Sequence, residues 1–307
     1  MPKFITPPET VSFSSHSARV QYKLLMFLFG LAVNRYLYGI FCRGLAKVFD
    51  PENAAYLTLA TGKPFKILLN DGYWTRFALY FENYEPEVAQ ILCASDGKTN
   101  VFCDLGANKG YWTVFASPLF TRVFAVEASS ETFKDLSTNV KALTNVALSW
   151  AAVHEHSNQE MTFVNVHNSH ASARIGSAQG ASDTIETVET ISVDDMLPPG
   201  TAALIKLDVE GAEIAAIKGA RRSLDAGSVL IYEDHGNDRN SEHSAYLLAL
   251  PEMQIYAIST DLEKLDTLSD VTALKTDRFT GYNFLAGRSD SALLKSIAEG
   301  FANSTRG

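Results

Sequence analysis

Three acids in this chain follow short apolar runs and precede turns. Asp104 sits near the end of the apolar run in VFCDLGANKGYWT (101–113), Glu127 follows RVFAV (122–126), and Asp208 follows the apolar start of LIKLDVEGAE (204–213). Each run reads as a buried strand bounded by turn signals. Ligands of open α/β sheets bind at the carboxyl ends of such strands, where an acid can accept hydrogen bonds from the two ribose hydroxyls of an adenosine. Glu127, 23 residues after Asp104, is placed for that role. Gly106 and Gly110 bracket a turn containing Ala107, Asn108 and Lys109. A missing side chain there lets the chain turn sharply and a ligand come close. The amides that open the following helix are expected to face the ligand.

The spacing narrows the ligand. A dinucleotide fingerprint reads G-x-G-x-x-G. Here it reads G-x-x-x-G, with no second glycine beside Gly106 to admit a pyrophosphate. S-adenosylmethionine carries no phosphate. Its amino-acid end needs amides for the carboxylate and an acid for the ammonium, and Asp104 is placed for the second. A nicotinamide oxidoreductase is the competing enzyme class, and it lacks both the fingerprint and a convincing catalytic tyrosine–lysine or histidine set. For proton removal from an acceptor, His235 is the preferred base because histidine titrates near neutrality. Asp208 and Glu233 are the alternatives. Asp208, Glu210, Glu213, Glu233 and His235 would suit magnesium or manganese, but acids at a helix start are explained by the macrodipole. His154-x-His156 and His167-x-x-His170 lack cysteines and stand in polar loops. No metal is expected. Tyr84, Tyr111 and Trp112 flank the turn and are expected mainly in the core.

With these residues in order, the chain resembles the FkbM-type family of S-adenosylmethionine-dependent methyltransferases. The likeness rests on Tyr84-Glu85-Pro86, DLGANKGYWT, Glu127, TISVDDML (190–197), IKLDVEGAE, LIYEDH (230–235) and YNFLAGR (282–288), over roughly residues 80–288. Where the family has proline after the ribose acid, this chain has Ala128-Ser129-Ser130. The resemblance implies an α/β, class I methyltransferase Rossmann-like fold, with a seven-stranded, mostly parallel sheet and helices on both faces. It implies S-adenosylmethionine as cofactor, held by Asp104, Gly106, Asn108, Gly110 and Glu127, with Glu85 near the donor's amino-acid end. It places Asp208, Glu233 and His235 toward the acceptor, a hydroxyl of a small metabolite, sugar or natural product. A rival reading is a methyltransferase fold without activity that serves as a partner subunit.

Length and composition agree with a globular enzyme. The 307 residues are 46% hydrophobic with a formal charge of −9, which argues against a nucleic-acid binder. Cys42, Cys93 and Cys103 show neither metal nor disulfide spacing, so they are expected reduced and at least partly buried, as in a cytoplasmic protein. No cleavable signal is evident.

In chain order, residues 1–18 are expected as a flexible tail and 19–95 as an N-terminal helical and strand extension. The methyltransferase core is expected at 96–288 and a C-terminal tail, starting as a short helix and then fraying, at 289–307. LLMFLFGLAV (24–33) is too short to span a membrane before Asn34 and Arg35. It reads as helix packed on the domain, in preference to a membrane-surface helix, and as a candidate homodimer interface. KILLN (66–70) and RFALY (76–80) read as strands joined at Asp71-Gly72. Residues 160–166 read as an extra strand, 167–189 as a loop over the acceptor pocket, 211–225 as one helix and 259–278 as a polar excursion.

Overall fold

The structure is a computed structural model describing residues 11–31, 38–80, 84–165, 174–175, 184–209, 211–238, 240–259 and 261–305. Glu210, His167, His170 and most of the expected 167–189 loop lie outside the described residues. The chain divides into two compact units, Met1–Pro86 and Glu87–Gly307.

The first unit is a three-stranded antiparallel sheet, in the order Ser12–Phe13, Ala54–Thr58, Pro64–Leu68, with helices His16–Leu31, Tyr38–Leu45 and Thr75–Tyr80. The expected tail is therefore partly ordered. Ser12 and Phe13 pair with Tyr56 and Ala55, and the first helix starts at His16. Buried Asn53 ties that helix down by donating to Ser17 Oγ (3.1 Å) and Gln21 Oε1 (2.8 Å). RFALY is helix and not strand. Asp71 Oδ1 accepts from the amides of Tyr73 (2.8 Å) and Trp74 (3.1 Å), which starts a turn that buries Trp74, Phe77 and Ala78 at helical spacing.

The second unit is built on one eight-stranded sheet. Its strands are β1 (Val101–Leu105), β2 (Arg122–Glu127), β3 (Val146–Trp150), β4 (Leu204–Leu207), β5 (Val229–His235), β6 (Met253–Ile258), β7 (Leu262–Leu265) and β8 (Gly281–Arg288). The order is β7-β6-β8-β5-β4-β1-β2-β3, parallel from β3 through β5, with β8, β6 and β7 each antiparallel to the strand before it in that direction. This is the class I methyltransferase order, with β7 added as an edge hairpin that the seven-strand expectation omits. The strand order reverses between β1 and β4, which opens a crevice at their carboxyl ends. One face of the sheet buries Cys103, Leu105, Val126, Ile205 and Leu207 against Ala216, Ile217 and Leu224 of the helices that follow β4. Those helices are Glu213–Lys218 and Arg221–Asp225, not one continuous helix. Gly219, between them, passes so near the His154 carbonyl that a Cβ would lie 2.2 Å from its oxygen.

A second, four-stranded sheet runs in the order Ala152–Val153, Thr184–Ile191, Glu160–Asn165, Arg174–Ile175. Residues 184–189 therefore belong to a strand rather than a loop. The 259–278 excursion contains β7 and a helix, Leu268–Leu274, opened by a Thr267–Asp270 capping box. The expected short C-terminal helix runs for 14 residues, Ala292–Thr305, and buries Leu293, Leu294, Ile297 and Phe301 instead of fraying early. Cys42 and Cys103 are buried, whereas Cys93 is exposed. Among the described residues no helix is long and apolar enough to cross a membrane.

The excursion is tied to the sheet by one buried ion pair. Lys275 Nζ donates to Asp234 Oδ1 (2.7 Å), to the Asp238 carbonyl (2.6 Å) and to Ser241 Oγ (2.8 Å), while Asp234 itself is fully buried. Removing the ammonium leaves an uncompensated buried carboxylate. Lys275→Met should therefore cost about 3–5 kcal/mol, read as a lower urea midpoint at unchanged slope. A loss below about 1 kcal/mol would show that the pair does not anchor the excursion.

Candidate active site

The glycine turn after β1 is shaped from three sides. Gly106 (φ +77°), Asn108 (φ +50°) and Gly110 (φ +88°) all take left-handed backbone. At Gly106 a Cβ would lie 1.8 Å from the Asp208 carbonyl oxygen, so only glycine lets β1 and β4 approach this closely. At Gly110 a Cβ would lie 2.6 Å from Leu136 Cδ1.

The amides of the turn itself are not left facing a ligand. Gly106 and Ala107 N–H both donate to the Val126 carbonyl (3.0 and 2.9 Å), and Gly110 N–H donates to the Ala107 carbonyl (2.8 Å). Asn108 N–H donates to Glu127 Oε2 (2.9 Å), and Lys109 N–H to Asn108 Oδ1 (2.8 Å). Ser129 N–H donates to Glu127 Oε1 (2.8 Å). Ser129, standing where the family has proline nearby, also caps helix Ser130–Val140. Glu127 thus joins the glycine turn to the loop after β2, and each of its oxygens keeps acceptor capacity. Burial pushes its carboxyl up to about 7, against the amide bonds that favour the ionised form.

Asp104 lies beneath the turn and not in it. It is 1% exposed, accepts from Thr113 Oγ1 at 2.5 Å, and is held above the usual carboxylate range by burial, with Lys206 and Thr113 opposing. Tyr111 and Trp112 are core residues, 2% and 3% exposed. Tyr84 packs in the first unit, its ring centroid 5.2 Å from that of Trp74. Glu85 also belongs to the first unit, half-buried with φ +40°.

The acids after β4 and on β5 come together. Carboxylate oxygens of Asp208 and Glu233 lie within 4.8 Å of one another. Burial, and then the charge of Asp208, push the Glu233 carboxyl up to about 7, while Lys206 opposes. A Cβ on Gly281 would lie 1.6 Å from Glu233 Oε1, so β8 carries glycine where the acid crosses it. His235 ends β5 on the same face as Glu233 but is exposed, with the Asn237 amide 3.4 Å from Nδ1. The two acids could offer oxygens to a hard cation, but Lys206 already donates to Asp208 Oδ2.

Two residues outside the sequence-derived set belong to this region. Lys206, 3% exposed, donates from Nζ to Asp208 Oδ2 at 2.7 Å and is the register partner of Asp104 across β4 and β1. Its signal was a lysine inside the apolar run LIKL. His243 Nε2 lies 3.5 Å from Glu213 Oε2, while Glu213 Oε1 accepts from the Gly211 amide (3.2 Å). Burial works against a charged His243, yet the Glu213 bond and charge raise it above its ordinary value. No spacing marked this histidine. A cavity of about 400 Å³ opens beside β3, lined among others by Trp150, Ser157, Glu189 and Asp195, and none of Asp104, Glu127, Asp208 and Glu233 lines it.

Two measurements check this geometry. Gly97 has φ +69° with open space at its Cβ position, so Gly97→Ala should cost only the left-handed penalty, about 1–2 kcal/mol. Gly106→Ala adds the collision with Asp208 and should lower the melting temperature clearly further; equal losses would refute the close approach. The second concerns Glu233, whose folded pKa of about 7 exceeds its unfolded value of 4.5. Stability from this group is complete below 4.5 and lost as pH rises through about 7. Glu233→Gln should therefore gain on wild type in urea unfolding at about pH 8 and not at about pH 5. A difference independent of pH would contradict the burial argument.

Residues 104–255 match the family model described as the methyltransferase FkbM domain. The hexuronic acid methyltransferase AglP of Haloferax volcanii is 25% identical over 154 residues, covering 49% of this chain and 62% of that protein. A methyltransferase FkbM from Methylobacillus flagellatus superposes with a TM-score of 0.41 at 16% identity, covering 88% of this chain and 58% of that one. A putative methyltransferase from Streptococcus mutans in complex with SAH gives 0.39 at 11% identity, covering 67% and 99%. The chain thus spans about three fifths of the length of the curated relative and of the first of these structures. Residues 104–255 are therefore a methyltransferase FkbM domain.

Proposed function

We propose that this protein is an S-adenosylmethionine-dependent methyltransferase acting on a hydroxyl of a sugar or another small hydroxylated metabolite. The observation that carries the cofactor assignment is the state of the glycine turn. Its five amides are all hydrogen-bonded within the protein, so it offers no cradle for a pyrophosphate. Glu127 remains able to accept from ribose hydroxyls. That combination disfavours the nicotinamide alternative and is compatible with a phosphate-free adenosine whose carboxylate takes its amides from outside the turn. The hexuronic acid methyltransferase relative supports a saccharide acceptor.

Bound S-adenosylmethionine supplies an electrophilic methyl group on a sulfonium. The protein's task is alignment and exclusion of water, which provide much of the rate in such a displacement. Asp208 and Glu233 can accept hydrogen bonds from acceptor hydroxyls. We assign the base to Glu233 ahead of His235. A carboxyl with a pKa of about 7 beside Asp208 is poised to take a hydroxyl proton at neutrality, whereas His235 stands exposed at the strand end.

Calorimetric titration of S-adenosylmethionine into wild type and Glu127→Ala tests the cofactor and its placement. Loss of charge-assisted ribose bonds should cost about 1.5–3 kcal/mol, or roughly 10- to 150-fold in affinity. Because only the ionised acid makes those bonds, wild-type affinity should rise as pH passes through about 7 and then level, and the variant should lack this rise. No binding by wild type would favour an inactive partner subunit. Equal binding by both would move the adenosine elsewhere. With a sugar acceptor in hand, Glu233→Gln should lower the rate of methyl transfer by roughly 10²–10⁴, and a larger loss in His235→Gln would reverse the assignment of the base.

A further inference from the structure

Helix His16–Leu31 is apolar on two sides, and only one of them is buried. Ala18, Tyr22 and Leu25 face inward, with the Tyr22 hydroxyl donating to the Ala78 carbonyl at 2.9 Å. Val20 (43%), Leu24 (36%) and Phe27 (63%) recur at i, i+4 and i+7 on the other side and are exposed. Arg19 and Lys23 flank this row and are exposed as well. The next helix adds exposed Ile40 (58%) and Arg43, and Lys47 and Val48 (80%) follow it. Among the described residues none of Arg19, Lys23, Arg43 and Lys47 forms an ion pair. The first 50 residues hold six Lys or Arg and two Asp or Glu, a formal +4 within a chain of −9.

We propose that this face docks the protein on an anionic lipid surface. A helix that lies in the membrane interface has an apolar row to enter the acyl boundary and cations at headgroup level. Val20, Leu24 and Phe27 form that row, and Arg19 and Lys23 border it. The segment's charge selects among occupants. A second copy would bring the same cations against themselves, whereas anionic headgroups neutralise them. The sequence pattern alone favoured packing or dimerisation for this segment. The exposure of Val20, Leu24 and Phe27 favours lipid. The helix lies on the surface and does not span it. This docking is independent of the methyl-transfer reading.

Sedimentation of the full chain with vesicles tests the proposal, using phosphatidylcholine alone and phosphatidylcholine mixed with phosphatidylglycerol. Binding to the mixed vesicles should greatly exceed binding to the neutral ones and fall as salt is raised. Arg19→Gln and Lys23→Gln should each weaken it about fivefold. Leu24→Ser with Phe27→Ser should abolish it without lowering the melting temperature, since both side chains are exposed. Equal or absent binding to the two vesicle types would overturn the proposal, as would binding untouched by these substitutions. A dimer by light scattering that dissociates in the Leu24→Ser, Phe27→Ser variant, with no vesicle binding, would assign the face to a second copy.

Discussion

A single buried ammonium governs the carboxyl edge of the sheet. Lys206 stands on β4 with its side chain 4% exposed, in register with Asp104 and ion-paired with Asp208. It also opposes the upward shifts of Asp104 and Glu233. Burying an ammonium is expensive unless partners surround it, and burying carboxylates is equally so. Each side makes the other tolerable. Asp104, Asp208 and Glu233 therefore share one positive charge.

That arrangement explains why the two acids with values near 7 differ in kind. Glu127 is raised by burial although three backbone amides favour its ionised form. Glu233 is raised by burial and by Asp208, and Lys206 holds the rise in check. The first acid is positioned by the loops it joins. The second is positioned by glycine at 281 and tuned by charge. A carboxyl of the first kind suits recognition of hydroxyls, and one of the second kind suits moving a proton.

Much of the fold was legible because its central strands are short apolar runs that end in turns. VFCDL and RVFAVE were readable to the residue, and so was the acid at the end of the second. RFALY was not, because a five-residue apolar run cannot separate strand from helix. What decides is Asp71 capping the turn before it. TIETVETI carries acids and threonines on a strand that pairs with residues 160–165 across a long connection, so local pattern read it as loop. The buried lysines were opaque for another reason. Lys206 could at least be seen inside an apolar run, but Lys275 stands in a polar stretch and is buried only because Asp234 and Ser241 fold against it.

The glycine turn shows where spacing stops being informative. Two glycines in G-x-x-x-G correctly indicate left-handed backbone and a close approach, since Cβ is excluded at Gly106 by Asp208 and at Gly110 by Leu136. They do not indicate where the amides point. In a dinucleotide site the turn amides are left for an anion. Here Val126, Glu127, Asn108 and Ala107 accept them. A turn so closed cannot contribute much charge recognition of its own, and selectivity passes to the side chains around it. Under the proposed function, that would move the weight of cofactor recognition onto Glu127. The backbone of the turn supplies shape, by holding β1 and β4 so close that buried Asp104 and Lys206 stand in register and Lys206 reaches half-buried Asp208.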